Sequence, residues 1–337
     1  MGKVLSVVIT AYNVECWLEE TLKSIVDAKN TLNEIEILVV NDGSTDNTPK
    51  IAKKYEICYP GIVYLINKKN GGWGSAVNTG IQYASGKYFK ILDGDDWFDS
   101  QGLERVVDEL KCIESDVVFL PWIMVNDKTK ESNMRDIFWA DDVGNLVDIL
   151  KKKQGYYKPN MHGAIIKTTI LKDNKICITE NCYYTDSEYI VKSLNCCESA
   201  CALKIPLYCY RTNREGQSVS VRSMMSRYKE HEKVLKEILT YYNEKISDEK
   251  KEFFWGVVDH MTTMQYLCYL RLTPSKSIKK ELIQFDKFIK ETNFNLYESN
   301  SMRTIRYLRI AKFRGYYVAV CFQQNKLKKN YKEGIIH

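Results

Sequence analysis

The chain has 337 residues and 45% apolar side chains, without a signal pattern or an apolar run of roughly 18 residues, which predicts a cytoplasmic protein of one or two domains. Its 11 cysteines include no CxxC pair and its 4 histidines give no zinc-finger spacing, so reduced thiols are expected rather than a disulfide framework. The net charge of +6 arises after residue 300, where nine Lys or Arg accompany one acidic residue, and this leaves the first 300 residues near −2.

The first 110 residues alternate between β-branched runs and helical periods. Strands are predicted at residues 4–10, 35–40, 62–66 and 88–92, and a helical segment follows each of them. Asp46 or Thr48 is a suitable cap for the second helix, with Pro49 in its first turn. Four strand and helix alternations predict a mainly parallel, doubly wound sheet.

The later segments are less regular. Helices are predicted at 102–113, 143–153 and from about 185 to 194, and strands at 116–125 and 200–210. Long charged helices follow at 228–242 and 251–270. This change of pattern predicts a domain boundary near residue 220.

Three carboxylates, Asp93, Asp95 and Asp96, directly follow the predicted fourth strand. Ligands bind at this edge of an open α/β sheet. Because clustered carboxylates repel one another, a hard cation such as Mg²⁺ or Mn²⁺ suits them. A solvated acidic turn is the alternative. A calcium loop ending at Glu104 fails, since Phe98 stands where that loop requires glycine.

Four features occur in one order along the chain. They are Thr10-Ala11-Tyr12-Asn13, Asn41-Asp42-Gly43-Ser44, the Gly71-Gly72-Trp73-Gly74-Ser75 loop ending at Asn78, and Asp93-Gly94-Asp95-Asp96. Together they resemble the family 2 glycosyltransferases of GT-A fold, which include bacterial enzymes that build surface polysaccharides. The resemblance is strong over residues 3–120 and looser over 160–220.

The resemblance implies a GT-A type catalytic domain at residues 1–220, with a doubly wound, mainly parallel α/β sheet flanked by helices. A helical C-terminal region would occupy residues 221–337. The implied reaction is inverting transfer of a sugar from a nucleotide diphosphate donor, usually UDP-linked, to a hydroxyl of a glycan or lipid-linked acceptor.

The resemblance also implies roles for the residues near the strand ends. Thr10, Ala11 and Tyr12 match the loop that holds the nucleotide base, and Asp42 matches a carboxylate on the base or ribose, unless it is a plain turn residue. Asp93 would lie near the ribose. Asp95 would ligate a Mn²⁺ or Mg²⁺ ion that bridges the phosphates, with Asp96 sharing that duty.

The glycine loop lets the backbone approach a ligand at Gly72, while Ser75 and Asn78 supply hydrogen-bonding groups. Many family members carry Arg before that Asn, whereas this chain has Val77. Another basic residue, such as Lys69 or an arginine of a later loop, would have to replace it. The glycine spacing excludes a dinucleotide-binding loop.

Inverting transfer requires a general base for the acceptor hydroxyl. The family places it in an acidic pair near a late helix, and Asp186 matches that position. Thr185 replaces the usual Glu, so Glu188 is a rival, and helix capping is the alternative for both.

Two further features belong to the same half of the chain. Arg211 or Arg214 matches a mobile segment that closes over the donor, where a guanidinium pairs well with phosphate, although a solvated loop is the alternative. His162 could face the acceptor, but a lone histidine is commonly structural.

The tail interleaves basic and apolar residues from Arg303 to Lys332. This composition fits a helix lying on an anionic membrane surface, at the inner face of the cell membrane, or a solvated face packed on the main domain. Membrane contact would bring the enzyme to a lipid-linked acceptor.

Two other functions were weighed. A sugar nucleotidyltransferase would carry a Gly-rich, Arg-containing loop after the first strand, and residues 10–15 contain neither glycine nor arginine. An inactive homologue that docks to nucleic acid through the tail would gain nothing from carboxylates at 93, 95, 96 and 186. No nucleic acid partner is therefore expected.

Overall fold

The computed structural model describes residues 2–135, 142–152, 159–213, 221–300 and 302–332. The chain divides into two compact units, Met1–Arg214 and Glu215–His337. Each unit is described separately below.

The first unit is built from strands and helices in alternation. Its strands are β1 (Leu5–Ala11), β2 (Ile35–Asn41), β3 (Val63–Asn67), β4 (Tyr88–Asp93), β5 (Trp97–Phe98), β6 (Val117–Phe119), β7 (Trp122–Asn126), β8 (Ser132–Arg135), β9 (Asp142–Asn145), β10 (Ala164–Lys167), β11 (Ser199–Ala202) and β12 (Tyr208–Thr212). Its helices are α1 (Leu18–Val26), α2 (Thr48–Cys58), α3 (Gly72–Tyr83), α4 (Ser100–Cys112), α5 (Leu146–Lys152), α6 (Thr168–Asp173) and α7 (Asp186–Asn195).

The main sheet of the described residues has eight strands in the order β3-β2-β1-β4-β10-β6-β11-β9. The pairs β3–β2, β2–β1, β1–β4 and β6–β11 are parallel, whereas β10 is antiparallel to both of its neighbours. Every residue of β1 and β2 is buried, as expected for central strands covered on both faces. The predicted mainly parallel α/β sheet is confirmed.

A smaller sheet was not predicted from the sequence. Its strands follow the order β5-β12-β7-β8. The predicted strands 116–125 and 200–210 are each two strands, and Pro121 and Pro206 lie in the connections. Because proline has no backbone N–H to donate to a ladder, each run leaves the main sheet at that point and joins the smaller one.

Helix α3 begins at Gly72, earlier than predicted, and packs closely on β1. A Cβ atom added at Gly80 would lie only 2.3 Å from Cγ1 of Val8. Glycine at this position therefore lets the helix backbone approach the central strand.

The second unit is helical throughout its described residues. Its helices are α8 (Val221–Ser226), α9 (Tyr228–Lys245), α10 (Asp248–Arg271), α11 (Lys276–Thr292), α12 (Phe294–Ser299), α13 (Arg303–Ile310) and α14 (Tyr316–Lys332). Helix α10 is central, since α8, α9, α11 and α14 all pack against it. Among the described residues, no helix combines the length and apolar character that crossing a membrane requires.

A buried polar cluster fixes α13 in this unit. Asp286 accepts hydrogen bonds from the Tyr266 hydroxyl at 2.7 Å and from Arg309 Nε at 2.9 Å. The Arg309 guanidinium also stacks over the Tyr297 ring at 3.5 Å. Arg309 is thus a structural residue of the helical unit.

The contact between α3 and β1 yields a stability prediction. We expect Gly80→Ala to destabilise the protein by about 1–3 kcal/mol, because the added methyl group overpacks the interface with Val8. The midpoint of urea unfolding, followed by fluorescence, measures this effect.

The double substitution Val8→Ala/Gly80→Ala should be less destabilised than the two single changes added together, because the first removes the clashing atoms. Gly144→Ala is the matched control, since a Cβ atom there meets nothing within 4 Å. Equal destabilisation by Gly80→Ala and Gly144→Ala would contradict the packing argument.

Candidate functional site

The carboxyl ends of four parallel strands meet at one edge of the main sheet. The strand registers place Thr10 beside Asp93, Ala11 beside Asn41, and Asn41 beside Asn67. Residues from three separate sequence motifs therefore lie next to one another at this edge, where an open α/β sheet binds its ligands.

Asp93 ends β4 and is held by two donors. Thr10 Oγ1 and Trp73 Nε1 each donate to Asp93 Oδ1 at 2.8 Å. Burial raises the pKa of this carboxyl to about 6, with further contributions from the charges of Asp95 and Asp186, while the two hydrogen bonds oppose the shift. The carboxylates of two distant motifs are thus electrostatically coupled.

Asp96 has a different environment from Asp93. It is 1% exposed, and its two oxygens accept hydrogen bonds from the Tyr208 hydroxyl at 2.6 Å and from the backbone N–H of Arg211 at 2.8 Å. The same hydroxyl accepts from the N–H of Asp93 at 3.2 Å. Burial, followed by repulsion from Asp95 and Asp93, raises the pKa of Asp96. Asp96 therefore connects β12 to the acidic turn, and Asp95 is the more accessible of the two.

Asp42 organises the glycine loop. Its carboxylate is buried, accepts from the backbone N–H groups of Gly71 and Gly72 at 3.0 and 2.8 Å, and pairs with Lys68 Nζ at 2.6 Å. Gly72 has φ +83°, a conformation that favours glycine. The carboxylate and the loop thus form one preorganised wall of the cleft.

Ser75 and Asn78 lie on α3, behind this wall. Ser75 is buried, and its Oγ would lie 2.6 Å from a Cβ atom at Gly71. Asn78 accepts from the N–H of Ile178 at 2.8 Å and donates to the Ile178 carbonyl at 2.9 Å. Asn78 therefore fixes the segment that leads to α7.

The loop after β1 places an exposed aromatic side chain at the same edge. Thr10 and Ala11 are buried, whereas Tyr12 is 48% exposed. Asn13 has φ +52°, and its side chain accepts from the N–H of Thr45 at 2.8 Å. This contact ties the loop after β1 to the loop after β2.

The two candidate bases differ in their contacts. Glu188 is fully buried, accepts from the N–H and hydroxyl of Thr179 at 3.0 and 3.1 Å, and pairs with Lys192 Nζ at 2.5 Å. Asp186 begins α7 with an accessible side chain. Desolvation by the protein around it raises the pKa of the Asp186 carboxyl. Asp186 is thus the accessible one of the two carboxylates.

Of the two predicted arginines, Arg211 is paired with carboxylates of the protein. Arg211 is 6% exposed and uses its guanidinium for Asp127 at 2.8 Å and Glu20 at 2.6 Å, so these carboxylates neutralise its charge. Arg214 lies outside the described residues.

Three site residues were missed in the sequence. Trp73 stands among glycines, Tyr208 lies near the end of the predicted strand 200–210, and Lys90 is the one charged residue of the run Tyr88–Leu92. A lone charge in an apolar strand and an aromatic ring in a glycine loop were the available signals. Nothing local marked Tyr208.

The comparisons with known proteins agree with this geometry. Residues 6–177 match the family model described as Glycosyl transferase family 2. The chain is 31% identical over 217 residues to the minor teichoic acid biosynthesis protein GgaB of Bacillus subtilis, covering 63% of this chain and 23% of GgaB. It spans about a third of the length of two further curated relatives.

Solved structures show the same fold. Staphylococcus aureus TarS residues 1–349, in complex with UDP-GlcNAc, superpose with a TM-score of 0.69 at 20% identity, over 98% of this chain and 92% of that one. A mannosyltransferase of Pyrobaculum calidifontis, in complex with GDP-Man and Mn²⁺, gives 0.54 at 15% identity, over 96% and 87%. The fold is therefore of GT-A type, and the match over residues 6–177 shows that the chain belongs to glycosyl transferase family 2.

Proposed function

We propose that the chain is an inverting glycosyltransferase that moves a sugar from a nucleotide diphosphate donor to a hydroxyl of a glycan or lipid-linked acceptor in cell-surface polysaccharide synthesis. The observation that carries the proposal is the meeting of three sequence motifs at the ligand-binding edge of the sheet, where Thr10 and Trp73 each donate a hydrogen bond to Asp93. A UDP-linked donor is favoured, because the TarS neighbour is in complex with UDP-GlcNAc.

The nucleotide would lie against the ends of β1 and β2. The exposed ring of Tyr12 offers a stacking surface for the base beside Thr10 and Ala11. Asp42 would reach the base or ribose from the wall that it forms with Gly72. Ser75 and Asn78 support that wall from α3, and Arg214 remains the proposed contact to diphosphate.

A divalent cation, Mn²⁺ or Mg²⁺, fits the oxygen donors of Asp95 and Asp93. Such an ion would be held by one or two carboxylates and completed by substrate phosphates. Both oxygens of Asp96 accept protein hydrogen bonds, whereas the two bonds to Asp93 both end on Oδ1, so Asp96 is the weaker candidate for a metal ligand. When bound, the ion would neutralise charge on the departing diphosphate.

Asp186 would act as the general base. It begins α7, and the turn Met161–Gly163 packs against both α7 and β4, so a donor held by Asp93 and Asp95 would present its anomeric carbon toward the start of α7. A raised pKa makes the carboxylate a better proton acceptor. Glu188 would keep α7 attached to the segment at Thr179.

Calorimetric titration of UDP tests the donor site. With Mn²⁺ present we expect micromolar binding that is lost on chelation or in Asp95→Ala, because the diphosphate repels the carboxylates unless an ion lies between them. Asp173→Ala, an exposed acidic residue of α6, is the control and should bind as the wild type does. Equal UDP affinity with and without chelator would show that UDP binding does not require the metal.

The same titration has a pH signature. Because the pKa of Asp93 is about 6, this carboxylate gains a proton as the pH falls through that value and no longer attracts the ion. Metal-dependent UDP affinity should fall between pH 7.5 and pH 5. A flat profile over this range would contradict the assignment of Asp93.

Hydrolysis of UDP-GlcNAc, with water in place of the acceptor, tests the base. We expect Asp186→Asn to lose roughly 10²- to 10⁴-fold in turnover while UDP binding is kept, because the base acts on the attacking hydroxyl and does not hold the nucleotide. UDP release measured by a coupled assay follows the reaction.

Glu188→Gln is the matched variant. It should lower the melting temperature, since Lys192 and Thr179 lose a buried charged partner, and should retain more turnover than Asp186→Asn. The reverse order of turnover would make Glu188 the base.

We further propose that the second unit contacts an anionic membrane surface. Helices α13 and α14 expose Ile310 (83%), Val318 (74%) and Phe322 (61%). Residues 302–332 contain no acidic residue, and Arg303, Arg306, Lys312, Arg314, Lys326, Lys328 and Lys329 are exposed. Exposed apolar side chains among basic ones suit a lipid interface.

Cosedimentation with liposomes tests the membrane contact. Ile310→Ser/Phe322→Ser should lower binding to phosphatidylserine-containing vesicles by roughly tenfold or more, because two apolar side chains leave the acyl boundary. Ile57→Ser, which changes a 68% exposed side chain of α2, is the control. Unchanged binding by the double variant, or equal binding to neutral vesicles, would overturn the membrane assignment.

A further inference from the structure

A cluster of aromatic rings lies beside the carboxylates and is joined to them through the Tyr208 hydroxyl. We call Trp122, His162, Tyr208 and Tyr210 the ring cluster. The His162 ring stacks on Trp122 at 4.9 Å with an angle of 26° between the planes. It also lies 4.7 Å from the ring centres of both Tyr208 and Tyr210. His162 is thus at the centre of the cluster.

The smaller sheet presents three of these rings together. Tyr208 of β12 is in register with Trp122 of β7, and Tyr210 with Met124. Because side chains alternate along a strand and in-register partners share a face, Trp122, Tyr208 and Tyr210 project from one face of this sheet.

Lys90 fixes the turn Met161–Gly163, which carries His162, the fourth ring of the cluster. Its side chain is fully buried, and Nζ donates to the carbonyls of Met161, His162 and Ala164 at 2.8, 2.5 and 3.1 Å. Three acceptors use all three N–H groups of an ammonium, which offsets the burial that lowers the pKa of Lys90. Lys90 is a positioning residue for His162.

The ring cluster packs against the elements that carry Asp93, Asp96 and Asp186. The turn Met161–Gly163 packs against α7, β12 and β4, the elements on which Asp186, Tyr208 and Asp93 lie. The Tyr208 hydroxyl bonds to Asp96. The Tyr210 ring packs on His162 of this turn, which in turn packs against α7, the helix that Asp186 begins.

The chemistry of this surface is that of a sugar platform. Trp122, His162 and Tyr210 are partly accessible. Burial, followed by the charge of Lys90, lowers the pKa of His162 to about 3, so its ring is neutral. A pyranose has an apolar C–H face that stacks on neutral rings and a rim of hydroxyls that needs fixed polar partners. Rings next to carboxylates supply both.

We propose that Trp122, His162 and Tyr210 form the platform on which the acceptor's sugar ring stacks, with its attacking hydroxyl directed to Asp186. This inference rests on the proposed transfer to a glycan and specifies which part of the cleft recognises it. It also selects a saccharide acceptor over a simple lipid hydroxyl.

Saturation-transfer NMR with methyl β-glycosides of glucose, galactose and N-acetylglucosamine tests the platform, in the presence of UDP and Mn²⁺. Transfer to the ring C–H protons of at least one glycoside is expected with the wild type. Trp122→Leu and His162→Leu should weaken that binding roughly fivefold to tenfold, whereas Trp122→Phe keeps a ring and most of the affinity. Tyr83→Leu, which changes a 56% exposed ring of α3, is the control, and thermal melting confirms that each variant is folded.

The outcomes separate this inference from the donor function. If the wild type binds UDP but no glycoside, or if Trp122→Leu and His162→Leu bind glycosides as the wild type does, the platform is wrong and the donor site stands. If glycoside binding depends on Trp122 and UDP does not bind, the donor function is wrong and the platform stands.

Discussion

Repulsion among carboxylates at the end of β4 is the constraint on which the rest of the first unit depends. Asp93, Asp95 and Asp96 occupy three of four consecutive positions, and burial adds to the cost of the charges on Asp93 and Asp96. Directed donors hold two of them: Thr10 and Trp73 for Asp93, and Tyr208 and a backbone N–H for Asp96. In the proposed function, a bound cation would relieve the remaining repulsion.

Acidic residues that look alike in the sequence have separate functions in the structure. Asp42 and Glu188 are both buried and satisfied by neighbouring protein groups, and each ties two loops together. Asp95 and Asp186 are more accessible. The buried carboxylates of Asp42 and Glu188 hold neighbouring loops in place, and the proposed substrate contacts belong to the accessible pair. Burial, not residue type, separates the two groups.

The sequence alone was sufficient to predict the parallel strands β1 to β4. Apolar runs that end in polar turns predicted β1 to β4 within one or two residues. β1, β2 and β4 are buried on both faces, and such a strand has a composition that few other segments share. The smaller sheet was missed for a physical reason. β5 has two residues, too few to show an alternating pattern, and every residue of β8 is exposed, so that strand has no buried face. Their pairing is specified by β7 and β12, which are distant in the chain.

The same limit applies to the candidate site. Motifs after β1, β2 and β4 could be predicted to meet, since parallel strands place their carboxyl ends together. Lys90 and His162 are 72 residues apart, and no local pattern indicates that one supports the other. Their contact exists because β10 runs antiparallel to β4 and pairs with it only at Phe89 and Tyr88. Beyond those residues the carbonyls of Met161, His162 and Ala164 accept hydrogen bonds from the buried Lys90 side chain. The structural role of a lysine in the middle of an apolar strand can thus be understood only from the sheet topology.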